Sequence, residues 1–132
     1  MQNEINYGGC YCGNIRYKVV GMPKYAGVCY CGDCRKNVGA QSVSWITFPI
    51  SDFEFEKGVP VSFKSSKNVV RSFCGICGTS LTYQNEIRKS EIDITLASLE
   101  NPEKFPPRKL VFADEKLNWD IHLDLPRSDF TG

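Results

Sequence analysis

Seven cysteines fall in three clusters, Cys10-x-Cys12, Cys29-x-Cys31-x-x-Cys34 and Cys74-x-x-Cys77, and none stands alone. A thiolate is a soft, strongly donating ligand, and zinc takes four such ligands tetrahedrally at about 2.3 Å. A two-residue spacer in a tight turn lets both sulfurs of a Cys-x-x-Cys face one point. Gly13, Gly32 and Gly78 each follow a cysteine directly, and glycine accepts the left-handed backbone that bends a chain round a metal. Two distant pairs supply four ligands and close a site, whereas one local cluster of three leaves a position for water or substrate. Seven divides naturally as four plus three, which predicts up to two zinc ions per chain, one structural and one in an open, catalytic type of site.

Spacing leaves the division itself open, because Cys10, Cys12, Cys29 and Cys31 would make an equally complete closed set. Three other uses of the sulfurs compete with zinc. They are buried free thiols acting as small hydrophobes, a redox pair at Cys74-Gly75-Ile76-Cys77, and an iron–sulfur cluster, since thiolates suit iron as well as zinc. A redox pair calls for a βαβ setting and no surplus thiols, and the chain supplies neither. A disulfide framework fails on arithmetic, because seven cannot pair completely.

The elements that must position these ligands read as strands. Ile15, Tyr17 and Val19 alternate with Arg16 and Lys18; Phe53 and Phe55 with Glu54 and Glu56; Ile92, Ile94 and Leu96 with Asp93 and Thr95. Each alternation is that of a half-buried strand. Residues 43–48, 61–63, 69–73, 80–83 and 110–112 are further strand-length segments rich in β-branched and aromatic residues. No stretch sustains a helical period. Two short helical turns are predicted, one after Cys34 and one at Asn101-Pro102-Glu103, where an Asn cap precedes a proline at the first helical position. The expected fold is mostly β, a single domain over residues 1–132 built of short antiparallel strands with cysteine-bearing turns.

Composition excludes several function classes. The 132 residues are 42% hydrophobic and 23% charged, ordinary globular usage that indicates neither disorder nor a fibrous repeat. Sixteen Lys and Arg face fifteen Asp and Glu, so no net field draws the chain to nucleic acid or to an anionic membrane. The start, Met1-Gln2-Asn3-Glu4-Ile5, has no basic segment followed by an apolar one, and no apolar run approaches the ~20 residues of a membrane span. A cytoplasmic protein is expected, with no membrane partner.

Gly8-Gly9-Cys10-Tyr11-Cys12-Gly13-Asn14-Ile15-Arg16-Tyr17, then Cys29-Tyr30-Cys31-Gly32-Asp33-Cys34-Arg35-Lys36, then Arg71-Ser72-Phe73-Cys74-Gly75-Ile76-Cys77-Gly78-Thr79 together resemble the glutathione-dependent formaldehyde-activating enzyme family, also called the CENP-V/GFA domain family. The likeness continues through Ile92 to Leu99 and through the segment 119–126. It implies a mostly β fold of the Mss4-like type, a carbon–sulfur lyase activity on an adduct such as S-hydroxymethylglutathione, and two zinc sites. By motif position, Cys10, Cys12, Cys74 and Cys77 would hold the structural ion and Cys29, Cys31 and Cys34 the catalytic one. Tyr30 stands where many members have His, and Lys109 where a His often precedes the late aromatic strand. Neither departure removes a zinc ligand.

Arg35 and Lys36 follow the third ligand of the local cluster, where they could offset its charge or receive carboxylates of a glutathione-like thiol; a solvated basic turn is the plainer reading. His122 is the only histidine, and no neighbouring motif places it at the metal, so a structural or surface role is expected rather than that of a general base. Trp45, Trp119 and the phenylalanines read first as core, and the tail from Arg127 as a frayed end. The class competing with the lyase is a non-catalytic zinc-binding interaction module.

Overall fold

Short β-branched and aromatic segments, punctuated by glycine and proline, form ten strands in the computed structural model, which describes residues 4–120 and 125–126. They are β1 (Ile5–Gly9), β2 (Arg16–Val20), β3 (Tyr25–Cys29), β4 (Val43–Pro49), β5 (Phe53–Lys57), β6 (Val61–Ser66), β7 (Val69–Phe73), β8 (Ser80–Asn85), β9 (Glu91–Thr95) and β10 (Lys109–Val111). One α-helix, α1 (Gly32–Val38), follows β3, and five short 3-10 turns complete the described elements. No helix among the described residues is long and apolar enough to cross a membrane.

The strands make a three-stranded sheet in the order β1-β2-β5 and a seven-stranded sheet in the order β10-β3-β4-β9-β8-β7-β6. Pairing is antiparallel except that β10 runs parallel to β3, a departure from the all-antiparallel expectation. The core lies between the sheets. Tyr17 and Val19 from the smaller sheet, with Ile15 just before it, meet Ile46, Phe48, Leu81 and Ile94 from the larger, all fully buried, and each such apolar side chain contributes about 1.5–3 kcal/mol.

The eight predicted strands are all present. Two others, β1 and β3, have their β-forming residues diluted by glycine, in INYGG and YAGVC. Their glycines are demanded by close approach: a Cβ on Gly8 would lie 2.4 Å from the Tyr17 hydroxyl, and one on Gly27 3.0 Å from Lys109. Strand β9 departs from the half-buried pattern, since Asp93 and Thr95 are buried along with Ile92 and Ile94. Both faces of the large sheet are covered there, one by the core and the other by the walls of a cavity. At Asn101 the predicted turn forms as a 3-10 helix, Pro102–Lys104, with the proline first but without a side-chain cap from Asn101.

Candidate metal centres

Four sulfurs converge where two β-turns meet. Cys10 and Cys12 lie in the connection from β1 to β2, and Cys74 and Cys77 in that from β7 to β8. The two turns share one design: Cys10 N–H donates to the Ile15 carbonyl at 3.0 Å and Cys74 N–H to the Thr79 carbonyl at 2.9 Å. Tyr11 N–H donates to the Thr79 hydroxyl at 3.0 Å, tying one turn to the other. Gly13 and Gly78 take the expected left-handed backbone, with φ of 82° and 84°. Gly32 does not; it opens α1 instead.

The sulfur geometry fits a tetrahedral ion. Sulfurs at 2.3 Å from a common centre stand about 3.8 Å apart, and Cys10–Cys12 and Cys12–Cys74 are separated by 3.6 and 3.8 Å. All four sulfurs lie within 4.8 Å of one another. Backbone N–H groups of Ile15, Ile76 and Cys77 donate to Cys10 and Cys74 sulfurs at 3.2–3.4 Å, the arrangement that stabilises charge on a thiolate. The Thr79 hydroxyl, 3.2 Å from Cys77 Sγ, helps bring that thiol down to about 5. The alternative grouping of Cys10 and Cys12 with Cys29 and Cys31 does not occur.

The second cluster is local. Cys29 is the last residue of β3, Cys31 caps α1 by accepting from Cys34 N–H at 3.3 Å, and Cys34 sits in the first turn of the helix. These ligands therefore come from a strand end and a helix rather than from turns alone, because a three-residue site needs the tight reversal that a helix start supplies. Their sulfurs also lie within 4.8 Å of one another, and Cys29 and Cys34 are buried. Cys34 is held down at about 5, first by its hydrogen bond with Cys29 and further by Cys31 and Arg71. The Cys29 thiol is pushed up by the same bond to Cys34 and by burial.

This cluster walls a cavity of about 750 Å³, and the four-sulfur cluster does not. The floor is a row of residues opposite one another across five strands: Tyr25, Thr47, Asp93, Tyr83 and Arg71. Asp93 accepts from the Thr47 hydroxyl and, at 2.9 Å, from Arg88 Nη2, so the buried carboxylate is paired. Trp45 and Tyr83 rings, 5.8 Å apart, form an aromatic wall. The rim is β10 and the turn after it, where Glu115 accepts from Gly32 N–H at 3.0 Å. Phe112 sits on that rim at φ 54°, the only described non-glycine residue in the left-handed region.

Arg35 and Lys36 do not line the cavity. Arg35 donates to the Tyr30 and Glu115 carbonyls at 3.3 Å each, holding the rim to the helix. His122 and the tail from Arg127 lie outside the described residues. Trp45 lines the cavity rather than the core, and Trp119 is half exposed. Arg71, Asp93 and Tyr83 were not legible as site residues. The one available signal was Arg71 itself, aligned by period two with Val69 on a strand that leads to Cys74.

A mostly β fold with two sulfur clusters, each able to hold a metal ion of the zinc type, is the class that fold and site define. The sequence profile of the glutathione-dependent formaldehyde-activating enzyme family matches residues 5–115. The chain belongs to that family. Its fold is similar to the crystal structure of a Rhodobacter sphaeroides protein, with a TM-score of 0.63 at 22% identity over 80% of this chain and 99% of that one. No curated protein matches the chain at a significant level.

Proposed function

We propose that the protein is a zinc-dependent carbon–sulfur lyase acting on a small thiol adduct of the S-hydroxymethylglutathione type. The observation that carries this reading is that the three-sulfur cluster opens on a 750 Å³ cavity while the four-sulfur cluster is excluded from it. Cys10, Cys12, Cys74 and Cys77 would hold a structural ion, and Cys29, Cys31 and Cys34 a second with one free position. In that position zinc would serve as a Lewis acid, polarising an aldehyde oxygen or lowering the pKa of a thiol.

The protein's own groups bind and orient the adduct. Lys109, its ammonium 4.6 Å from the Tyr25 ring at the cavity wall, receives a substrate carboxylate in place of Arg35 and Lys36. Trp45 and Tyr83 flank the chain of the thiol, and Phe112 at the rim limits water entry. In the cleaving direction the carbon–sulfur bond breaks, its electron pair stays on sulfur, and the hydroxyl proton leaves as the aldehyde forms; addition reverses each change. A cytoplasmic setting would keep the seven thiols reduced.

The test is turnover of formaldehyde with glutathione, measured as the excess over the spontaneous reaction. The expected result is a metal-dependent excess that Cys34→Ser abolishes in a protein that still folds. Lys109→Glu should raise KM about tenfold with kcat little changed, as loss of uniform binding requires. Equal rates for wild type, Cys34→Ser and no protein would promote the non-catalytic zinc module instead.

A further inference from the structure

Arg71 is the most unusual cation of the described chain. Its side chain reaches inward from β7, and the residue is only 5% exposed. A guanidinium keeps its charge at any physiological pH, and a buried charge without a counter-charge costs several kcal/mol. Yet none of the ion pairs among the described residues includes Arg71. Its partners are of another kind. Nε donates to the Ser65 hydroxyl at 3.0 Å, the guanidinium carbon stands 4.9 Å from the centre of the Tyr83 ring, and Nη1 and Nη2 both donate to Cys34 Sγ at 3.7 Å. The group that takes both terminal nitrogens of this buried cation is a cysteine sulfur of the open site.

The fork is oriented from three sides. Ser65 fixes the Nε edge, the Tyr83 ring fixes the plane, and the sulfur takes both terminal nitrogens. The two other sulfurs are treated differently: Cys31 accepts one backbone N–H, from Cys34, and neither Cys31 nor Cys29 accepts from a cationic group among the described residues. One sulfur of the three is thus singled out for a charged, two-pronged contact.

That asymmetry has a chemical consequence. Three thiolates give an ion so much charge that it becomes a poor Lewis acid. Hydrogen bonds into a ligand sulfur withdraw part of that charge and orient the lone pairs, so groups behind a ligand tune a metal as the ligands do. We infer that Arg71 is a positioning residue of the three-cysteine site, forking onto Cys34 Sγ to hold its orientation and to reduce the charge it donates to a bound ion. The inference rests on the reading of that site as a metal site. A purely structural role for Arg71 would leave the electronic character of the site unchanged.

Cobalt(II) in place of zinc gives a direct reading, because the sulfur-to-cobalt charge-transfer band reports the donor strength of the thiolates. The full chain would be loaded with cobalt as wild type, Arg71→Gln, Arg71→Lys and Ser65→Ala. Removing donors from Cys34 raises its lone-pair energy, so the band should move to longer wavelength. The shift should be largest in Arg71→Gln, smaller in Arg71→Lys, which keeps charge without the fork, and smallest in Ser65→Ala. The four-cysteine site, which Arg71 does not touch, supplies a constant component. Thiol-dependent kcat should fall roughly tenfold or more in Arg71→Gln, in line with the usual effect of removing a group behind a ligand, with partial recovery in Arg71→Lys. Ser65 lies on the edge strand β6, and its substitution by alanine leaves Arg71 and the strand's backbone pairing in place, so that variant is expected to fold. A band at the wild-type wavelength in every folded variant overturns the inference while leaving the metal site standing. One cobalt per wild-type chain instead of two overturns the metal reading, and the inference with it.

Discussion

The two sulfur clusters stand in different surroundings, one within the main core and the other on a cavity wall, and single substitutions should separate their roles. Cys74 is fully buried within the main core, and Cys10 nearly so. An ion held by their cluster would join the two sheets, and structural zinc binding is folding free energy, of order 10 kcal/mol in small zinc peptides. Cys10→Ser and Cys74→Ser are expected to unfold the domain or lower its thermal midpoint severely, whereas Cys34→Ser should yield a folded protein with one zinc by elemental analysis. Glycines near these ligands differ in the same way. A Cβ at Gly9 would meet the Ile15 carbonyl at 2.2 Å, in the strand pair that leads into Cys10, while one at Gly13 meets nothing within 4 Å. Gly13→Ala should therefore cost only the left-handed strain, about 1–2 kcal/mol, and Gly9→Ala distinctly more, as read from denaturant midpoints.

Strand β9 is held at its start by charges. Glu91 accepts from Lys24 at 2.7 Å, Arg88 at 2.6 Å and the Tyr25 hydroxyl at 2.9 Å, which joins β9 to the entry of β3 across β4. The hydrogen bond from Lys24, then those from Arg88 and Tyr25, lower the Glu91 carboxyl from 4.5 to about 2. A carboxyl depressed in the folded state stabilises it fully above the unfolded pKa and loses that effect as pH falls through the folded one. Wild type should exceed Glu91→Gln in thermal midpoint near neutral pH, and the gap should close as pH falls from 4.5 to about 2. Taking the difference between the two proteins at each pH cancels acid release of metal common to both. A gap constant across that window would show that Glu91 acts through packing rather than charge.

At the scale of the whole molecule, the clusters occupy unequal places. One lies where the sheets meet, and the other at the mouth of a cavity on the outer face of the larger sheet. Chelation should accordingly proceed in two stages. The first ion should leave with far-UV circular dichroism and the unfolding transition nearly intact, and with glutathione binding by calorimetry lost. Removal of the second should coincide with loss of the β spectrum. A single stage in which both ions and the fold disappear together would mean that the open site is as structural as the closed one.

Much of this was written in the chain before it folded. The three cysteine clusters, the period-two alternation at Ile15–Val19 and Ile92–Leu96, and the glycines after Cys12 and Cys77 are local signals, and local signals survive in a sequence because propensity and turn chemistry act between near neighbours. Strands β1 and β3 were hidden for the opposite reason: Gly8, Gly9 and Gly27 answer to atoms brought close only by folding. The pairing of Cys10 and Cys12 with Cys74 and Cys77, across more than sixty residues of chain, depends on β7 and β8 carrying their turn against the one between β1 and β2. The cavity floor is more purely tertiary still. Tyr25, Thr47, Asp93, Tyr83 and Arg71 come from five strands and share no motif, and they stand in one row only because antiparallel register fixes which residues face each other. Ligand chemistry is a property of residue type and short spacing, so the sequence determined it; which sulfurs share an ion, and which arginine faces them, is a property of strand register, and only the folded sheet decided it.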